Sequence, residues 1–503
     1  MPFSFNNLPE KVYIFDTTLR DGEQTPGVAL TIDEKIEIAH LLDELRVDVI
    51  EAGFPIASEG EAKAVQKIAN EGLKAKICAL ARTKKEDIDK AIDCGVSRIH
   101  TFIATSEIHM KYKLHMEPSQ VLEKAVWAVE YIKDHGIEVE FSAEDATRTR
   151  LEFLKEVFTK VTEAGASYLD IPDTVGVAIP IAMKKIVSEV RTITKANISV
   201  HCHNDMGLAV ANTLAGIEEG AIQPHCCVNG LGERAGNAAL EEVAVALKYM
   251  YGVKLNLDYS KIYETSQKIM RLTGVPLAPN KAVVGANAFS HESGIHAHGV
   301  IESPMTYEPI SPEDIGAKSR ILAGKQSGAH GIGKILENLG FKYTPEQLKL
   351  IVEKIKMLGD KGITVTEADI SSIARSVIQS LPPHMKKIKL EDILVVTGNK
   401  INPTATVKLH IGGKPVIVAA NGVGPIDAAI NAIRNASEEV APFKLKEFRL
   451  EAITGGTQAV AETIVTIEDE KKRSFTSRGS SEDIVIAGVE AIIEAINKLM
   501  AES

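Results

Sequence analysis

Aromatic residues make up only 5 % of the 503-residue chain, and Trp127 is its one tryptophan. Cysteine is scarce as well. Cys78, Cys94, Cys202, Cys226 and Cys227 are odd in number and mostly set in apolar, strand-like surroundings. That pattern excludes a disulfide framework and points to buried thiols in a reducing cytoplasm. No apolar run approaches the ~18–20 residues needed to cross a bilayer. The opening "MPFSFNNLPEKVYIFD" lacks a basic stretch followed by an apolar one, so no secretory signal is expected. Basic residues are in deficit, leaving a net charge of −11. A chain of that balance binds neither nucleic acid nor an anionic membrane in bulk, although a local basic patch can still hold a phosphate.

A chain of this length exceeds one hydrophobic core and is expected to hold two or three domains. Short β-branched runs alternate with amphipathic helical stretches from the start. The strand candidates are "VYIF" at 12, "DVIEAG" at 48, "KICALA" at 76, "RIHTFI" at 98, "EVEFSA" at 138, "YLDIP" at 168, "ISVHCH" at 198 and "HCCVNG" at 225. Between them lie helix patterns such as "TIDEKIEIAHLLDEL" and "LEFLKEVFTKVTEAG". Eight strand–helix units in this span match a (β/α)8 TIM barrel. A doubly wound sheet is the alternative, but no Gly-rich dinucleotide loop follows the first strand.

The pattern changes after about residue 275. The expected division is a catalytic barrel at 1–275, small and mostly helical linker subdomains at 276–385, and an α+β C-terminal regulatory domain at 386–503. "SLPPHMKK" has the composition of a linker, and the segments beyond it repeat one plan: two alternating strands, a glycine-containing loop and a helix.

Polar residues crowd after the strand candidates, where a β/α barrel carries its active site. In "SVHCHND" the period of an extended strand puts His201 and His203 on one face and Cys202 on the other. Two neutral imidazoles of this kind grip a divalent ion, given a carboxylate from "LRDGEQ" after strand 1 and an amide oxygen from "GERAGNA" after strand 8. Spacing leaves open whether Asp16 or Asp21 is the carboxylate.

Together, "FDTTLRDGEQTPG", "HTFIATSEIHMKYKL", "SVHCHNDMGLAVAN", "NGLGERAGNAALEE" and "NAFSHESGIHAHGV" resemble the 2-isopropylmalate synthase family. This is a metal-dependent group of acyltransferases joining acetyl-CoA to a 2-oxoacid, alongside citramalate and homocitrate synthases. The resemblance runs from about Tyr13 to the C-terminus. It implies a homodimer and a divalent metal (Mg2+, Mn2+ or Zn2+) on Asp21, His201, His203 and Asn237, with Asp16 orienting the loop. It also implies Arg20 at the substrate's carbonyl oxygen, Glu144 as active-site glutamate, and His100, Ser142 and Thr174 around the 2-oxoacid. His296 and Tyr307 would act as the base pair delivered by the partner subunit. By residue type alone, His291 and His298 compete with His296. Plain ion pairs are the alternatives for two of these residues: Arg20 with Glu23 or Asp21, and Glu144 with Arg148.

"EAGFP" and the strand-4 segment look like the enzyme for branched 2-oxoisovalerate, which opens leucine biosynthesis; citramalate synthase, taking pyruvate, is the runner-up. The related lyases carry a cysteine in the strand-8 loop, and "NGLGERAGNA" has none. The C-terminal resemblance implies leucine as feedback inhibitor near Gly422, Gly424 and Ile426. A non-catalytic amino-acid sensor is the reading of another class. An inactive descendant would be expected to lose part of the set Arg20, Asp21, His201, His203 and Asn237, and all five are present.

Overall fold

The computed structural model describes residues 7–292, 296, 299–300, 302–321, 328–363, 365–452 and 460–502. Eight parallel strands close into a barrel: β1 Phe15–Asp16, β2 Val49–Glu51, β3 Lys76–Arg82, β4 Arg98–Ala104, β5 Glu138–Glu144, β6 Tyr168–Asp173, β7 Asn197–Cys202 and β8 Gln223–Cys226. β1 pairs with both β2 and β8, which completes the ring. β1 is shorter than its apolar run because the N–H groups of Val12 and Tyr13 go to Lys254 and Ile222 instead. β8 ends early because the Cys227 N–H turns to the Ala238 carbonyl at 3.0 Å, and Asn229, at φ 65°, then carries the chain away.

Helices cover the outside of the ring. The one at Ile32–Glu44 starts on a capping box in which Thr31 and Glu34 exchange side-chain and backbone bonds. Alternation along each strand then separates two environments. Val139, Phe141 and Ala143 of β5 and Ile198, Val200 and Cys202 of β7 are buried under the helices. The opposite positions carry Glu140 and Ser142, and Ser199 and His201.

The barrel interior is therefore polar. Glu140 accepts bonds from Ser199 (2.7 Å), Gln223 (2.9 Å), His225 (2.8 Å) and Arg98 (3.1 Å). Arg98 also meets Glu138 at 2.7 Å and lies over the Tyr168 ring. Burial alone would push the Glu140 carboxyl up, but His225 and Arg98 hold it well below the usual range.

The chain divides into two compact units, one of residues 1–289 and 310–319 and the other of 290–309 and 320–503. The second opens with β9 Ser290–His291 parallel to β10 Arg320–Ile321, followed by helices Ala329–Asn338, Pro345–Asp360 and Glu367–Ile378. Two antiparallel three-stranded sheets complete it. β11 Ile388–Gly398, β12 Ile401–Ile411 and β13 Lys414–Asn421 precede the helix Pro425–Ser437. β14 Lys444–Ala452, β15 Ala461–Glu468 and β16 Ser474–Ser481 precede the helix Ile484–Ala501. The duplicated plan thus has three strands per unit where the sequence pattern suggested two. The extra leading strand of the first unit, "IKLEDILVVTG", is largely exposed and half polar, so hydrophobic alternation marks it weakly. Among the described residues, no helix is long and apolar enough to cross a membrane.

Because Arg98 is 1 % exposed and paired with the buried Glu140 carboxylate, Arg98→Ala leaves Glu140 without its guanidinium partner. Removing one partner of a buried pair costs about 3–5 kcal/mol. Urea unfolding followed by circular dichroism is expected to show a loss of that size.

Candidate metal centre

β7 aims both histidines into the barrel mouth, where His201 Nε2 and His203 Nε2 stand 3.2 Å apart. His203 Nδ1 donates to the Gly236 carbonyl at 3.2 Å, which leaves Nε2 with its lone pair. Burial pushes His201 far below the ordinary histidine range, helped by neighbouring His203 and Arg20. Burial lowers His203 too, against the opposing charge of Asp21. Both rings are thus neutral donors.

Asp21, 1 % exposed, faces them from the turn after β1, and one ligand atom from each of the three lies within 4.8 Å of the others. Asn237 comes from the loop after β8, bridged to His203. Its Nδ2 donates to Asp21 Oδ2 (2.6 Å) and Thr17 Oγ1 (3.1 Å), while its buried Oδ1 has no hydrogen-bond partner. Two neutral nitrogens, a carboxylate and an orphaned amide oxygen are the mixed N/O set that suits a divalent cation. Gly232 lets the loop pass this close: a Cβ there would strike Asp21 Oδ2 at φ 146°. Thr25 fixes Gly232 from the other side, taking its N–H at 2.8 Å and donating to its carbonyl at 3.2 Å.

Asp16 stands outside this set. It is fully buried and caps Thr18 through the backbone N–H (2.9 Å) and hydroxyl (3.0 Å). Burial raises its pKa to about 7.

Arg20 is paired neither with Glu23 nor chiefly with Asp21, which is 3.5 Å away. Its Nε donates to Glu51 at 2.7 Å, while Glu23 is held by Lys35 at 2.6 Å. Glu51 also takes His100 Nδ1 at 2.7 Å, His100 Nε2 meets Ser142 Oγ at 2.7 Å, and Ser142 donates to Asp170. Glu144 pairs with Lys113 (2.5 Å), not with Arg148, which is drawn to Asp145 (2.8 Å). The Thr174 hydroxyl accepts the Asp145 N–H at 2.9 Å.

These groups line one cavity of about 380 Å³, with Leu80, Phe102 and Pro172 as its apolar wall. Arg20, Asp21, His100, Ser142, Glu144, Thr174, His201 and His203 all border it. Sequence reasoning missed Glu51, Lys113 and Asp170. Glu51 and Asp170 carried a signal: each is a carboxylate inside an apolar barrel strand, which is affordable only where something inside the barrel pairs with it.

His296 and Tyr307 belong to the second unit, where their rings stack with centroids 4.1 Å apart. His291 pairs with Glu308 at 3.1 Å, and His298 lies outside the described residues. At the proposed effector loop, Gly424 precedes the helix Pro425–Ser437, and Ile426 packs against the sheet core. Asp427 already accepts the Val423 N–H there, at 3.0 Å.

Barrel and donor set define a (β/α)8 protein with a candidate divalent-cation site at its rim. A family model described as HMGL-like matches residues 11–269, one described as homocitrate synthase post-HMGL domain-like matches 283–363, and one described as the LeuA allosteric (dimerisation) domain matches 364–500. The 2-isopropylmalate synthase of Methanocaldococcus jannaschii is 55 % identical over 99 % of this chain and 96 % of its own length. A Methanopyrus kandleri relative provisionally named (R)-citramalate synthase is 49 % identical over 98 % of this chain and 97 % of its own. The crystal structure of a Bacillus subtilis HMG-CoA lyase aligns with TM-score 0.50 at 22 % identity, covering 54 % of this chain and 96 % of that one, and shares the fold. The chain belongs to the HMGL-like family and, within it, to the group formed by the 2-isopropylmalate, citramalate and homocitrate synthases.

Burial would push the Glu51 carboxyl up, yet the charges of Arg20 and His100 outweigh it and hold its pKa at about 2. A depressed carboxylate contributes stability that is present above its unfolded value and is lost as pH falls toward its folded one. Between pH 5 and pH 3, with chelator present, wild type is expected to lose roughly 2 kcal/mol more unfolding free energy than Glu51→Gln. Equal losses in urea titrations would contradict the pairing.

Proposed function

We propose that this chain catalyses the metal-dependent Claisen-type condensation of acetyl-CoA with 2-oxoisovalerate, giving 2-isopropylmalate and CoA, as a cytoplasmic homodimer inhibited by leucine. The observation that carries the reading is the convergence of Asp21, His201 and His203 beside Arg20 in a cavity with one apolar wall. Full-length similarity to a named 2-isopropylmalate synthase supports it.

Asp21, His201, His203 and Asn237 would hold the cation, which when bound supplies Lewis-acid polarisation of the ketone oxygen. Arg20, with its Nε committed to Glu51, would present its remaining N–H groups to the negative charge growing on that oxygen. Thr174, whose hydroxyl oxygen accepts the Asp145 N–H, would donate to the 2-oxoacid carboxylate with Ser142 lining the cavity beside it, while Leu80, Phe102 and Pro172 would receive its branched side chain. Lys113 holds the Glu144 carboxylate at the mouth, where it would order a water or the thioester. His296 of the partner subunit would take the acetyl methyl proton, a task that suits an imidazole near neutral pH, with Tyr307 stacked behind it.

The second reading, pyruvate as acceptor, is favoured by the relatives provisionally named citramalate synthases at 48–49 % identity. The two acceptors differ by two methyl groups, worth ~1–3 kcal/mol each in a fitted pocket. Thiol release measured with Mn2+, acetyl-CoA and a panel of 2-oxoacids separates them. We expect kcat/KM for 2-oxoisovalerate to exceed that for pyruvate by about 10-fold or more. The reverse order would transfer the assignment to citramalate, and no release with any acceptor would remove it. Asp21→Asn is expected to lower kcat by about 10²–10³-fold in the same assay.

A further inference from the structure

Behind the strand-8 loop stands a buried carboxylate with no part in the chemistry above. Glu241, in the helix Leu240–Ala246, is 1 % exposed. Its Oε2 accepts the Asn229 backbone N–H at 3.0 Å. Its Oε1 makes no well-formed hydrogen bond and is met by the Lys281 ammonium at 3.2 Å. Lys281 also donates to Glu242. Burial pushes the Glu241 carboxyl up, and the Lys281 charge opposes that.

Asn229 is where the chain leaves β8. It sits at φ 65°, ψ 4°, a left-handed conformation that non-glycine residues hold only when their surroundings fix it. Ser266 fixes the side chain, donating to Oδ1 (2.5 Å) and accepting from Nδ2 through its carbonyl (3.0 Å). Glu241 fixes the backbone. The loop beyond closes on itself through Gly236 N–H to Glu233 O (3.0 Å) and Asn237 N–H to Leu231 O (3.3 Å). Its base is joined by Cys227 N–H to Ala238 O at 3.0 Å. The loop is also tied to Thr25, Cys202, Asn204 and Asp205, and the turn at Asn229 sets the direction from which its Asn237 end approaches those anchors.

Lys281 is held as firmly. It lies in a compact turn closed by Gly285 N–H to Lys281 O (3.0 Å) and Asn287 N–H to Pro279 O (2.8 Å). Val284 in this turn is fully buried in the barrel unit's core, and Gln267 donates to its carbonyl at 3.3 Å. The ammonium is thus presented to Glu241 by a fixed support.

We propose that Lys281 is a positioning residue for the cation-holding loop: its ammonium pins the Glu241 carboxylate on the Asn229 N–H and thereby fixes where the Asn237 amide stands. The inference rests on the reading of Asp21, His201, His203 and Asn237 as a cation site. Without Lys281 a buried carboxylate has no counter-charge; it takes up a proton or draws in water, and its grip on the turn loosens.

The test is Mn2+ affinity of the full-length chain, read from the electron paramagnetic resonance of the free ion, with thermal unfolding alongside. Lys281→Met is expected to weaken Mn2+ binding about 10-fold, the scale for losing an outer-shell partner, and Lys281→Arg to stay within about twofold of wild type. In Lys281→Met combined with Glu241→Gln no buried charge is left over, and the amide oxygen still accepts the Asn229 N–H. That double variant is expected to regain affinity to within about threefold of wild type, and it carries the comparison should Lys281→Met alone not fold. Wild-type affinity in Lys281→Met overturns the proposal, as does a double variant as weak as about 10-fold below wild type. A wild-type chain that takes up no Mn2+ overturns the cation reading itself, and this inference with it.

Discussion

Two buried imidazoles whose Nε2 atoms stand 3.2 Å apart must share either a proton or a cation, and His203 keeps its Nε2 lone pair because its Nδ1 donates to Gly236. The rest of the barrel mouth follows from that constraint. Asp21 supplies negative charge on one side, Asn237 leaves a carbonyl oxygen unspent on another, and Gly232 clears the space that lets the two approach. Burial keeps both rings neutral, which a protonated pair could not tolerate and which makes them cation donors.

Beneath the mouth, the interior of the barrel solves a related problem. Glu51 and Glu140 are buried carboxylates held ionised by Arg20 and His100, and by His225 and Arg98. Burial pushes Asp16 and Asp170 the other way, Asp170 against the opposing charges of His225 and His100. Charge inside the barrel is therefore sorted: carboxylates touching guanidinium or imidazole stay ionised, and those bonded to hydroxyls do not hold their charge as easily. The Arg20–Glu51–His100–Ser142–Asp170 chain links this floor to the cavity, so the Arg20 guanidinium that borders it is braced from below.

Much of this was legible in the sequence because it rests on period-two alternation. "SVHCHND" states that His201 and His203 share a face, and the eight strand–helix units state the barrel. What was hidden depends on contacts distant along the chain. Glu51 reads as one acid in "VIEAG", and only closure of the ring brings Arg20 and His100 against it. The pairing of Glu144 with Lys113, instead of nearby Arg148, depends on the rim segment after β4 folding over β5. The third strand of each C-terminal unit escaped notice because an exposed strand carries little apolar pattern, whereas the helix and central strands behind it carry the core.

The proposed site places one cation among four side chains from the ends of β1, β7 and β8. The most direct measurement is a crystal soaked with Mn2+ and an anomalous difference map collected at the manganese edge. A single strong peak is expected, bonded to His201 Nε2, His203 Nε2, an Asp21 carboxylate oxygen and the Asn237 amide oxygen. A map with no peak there, or with Asn237 turned away from the ion, would contradict it.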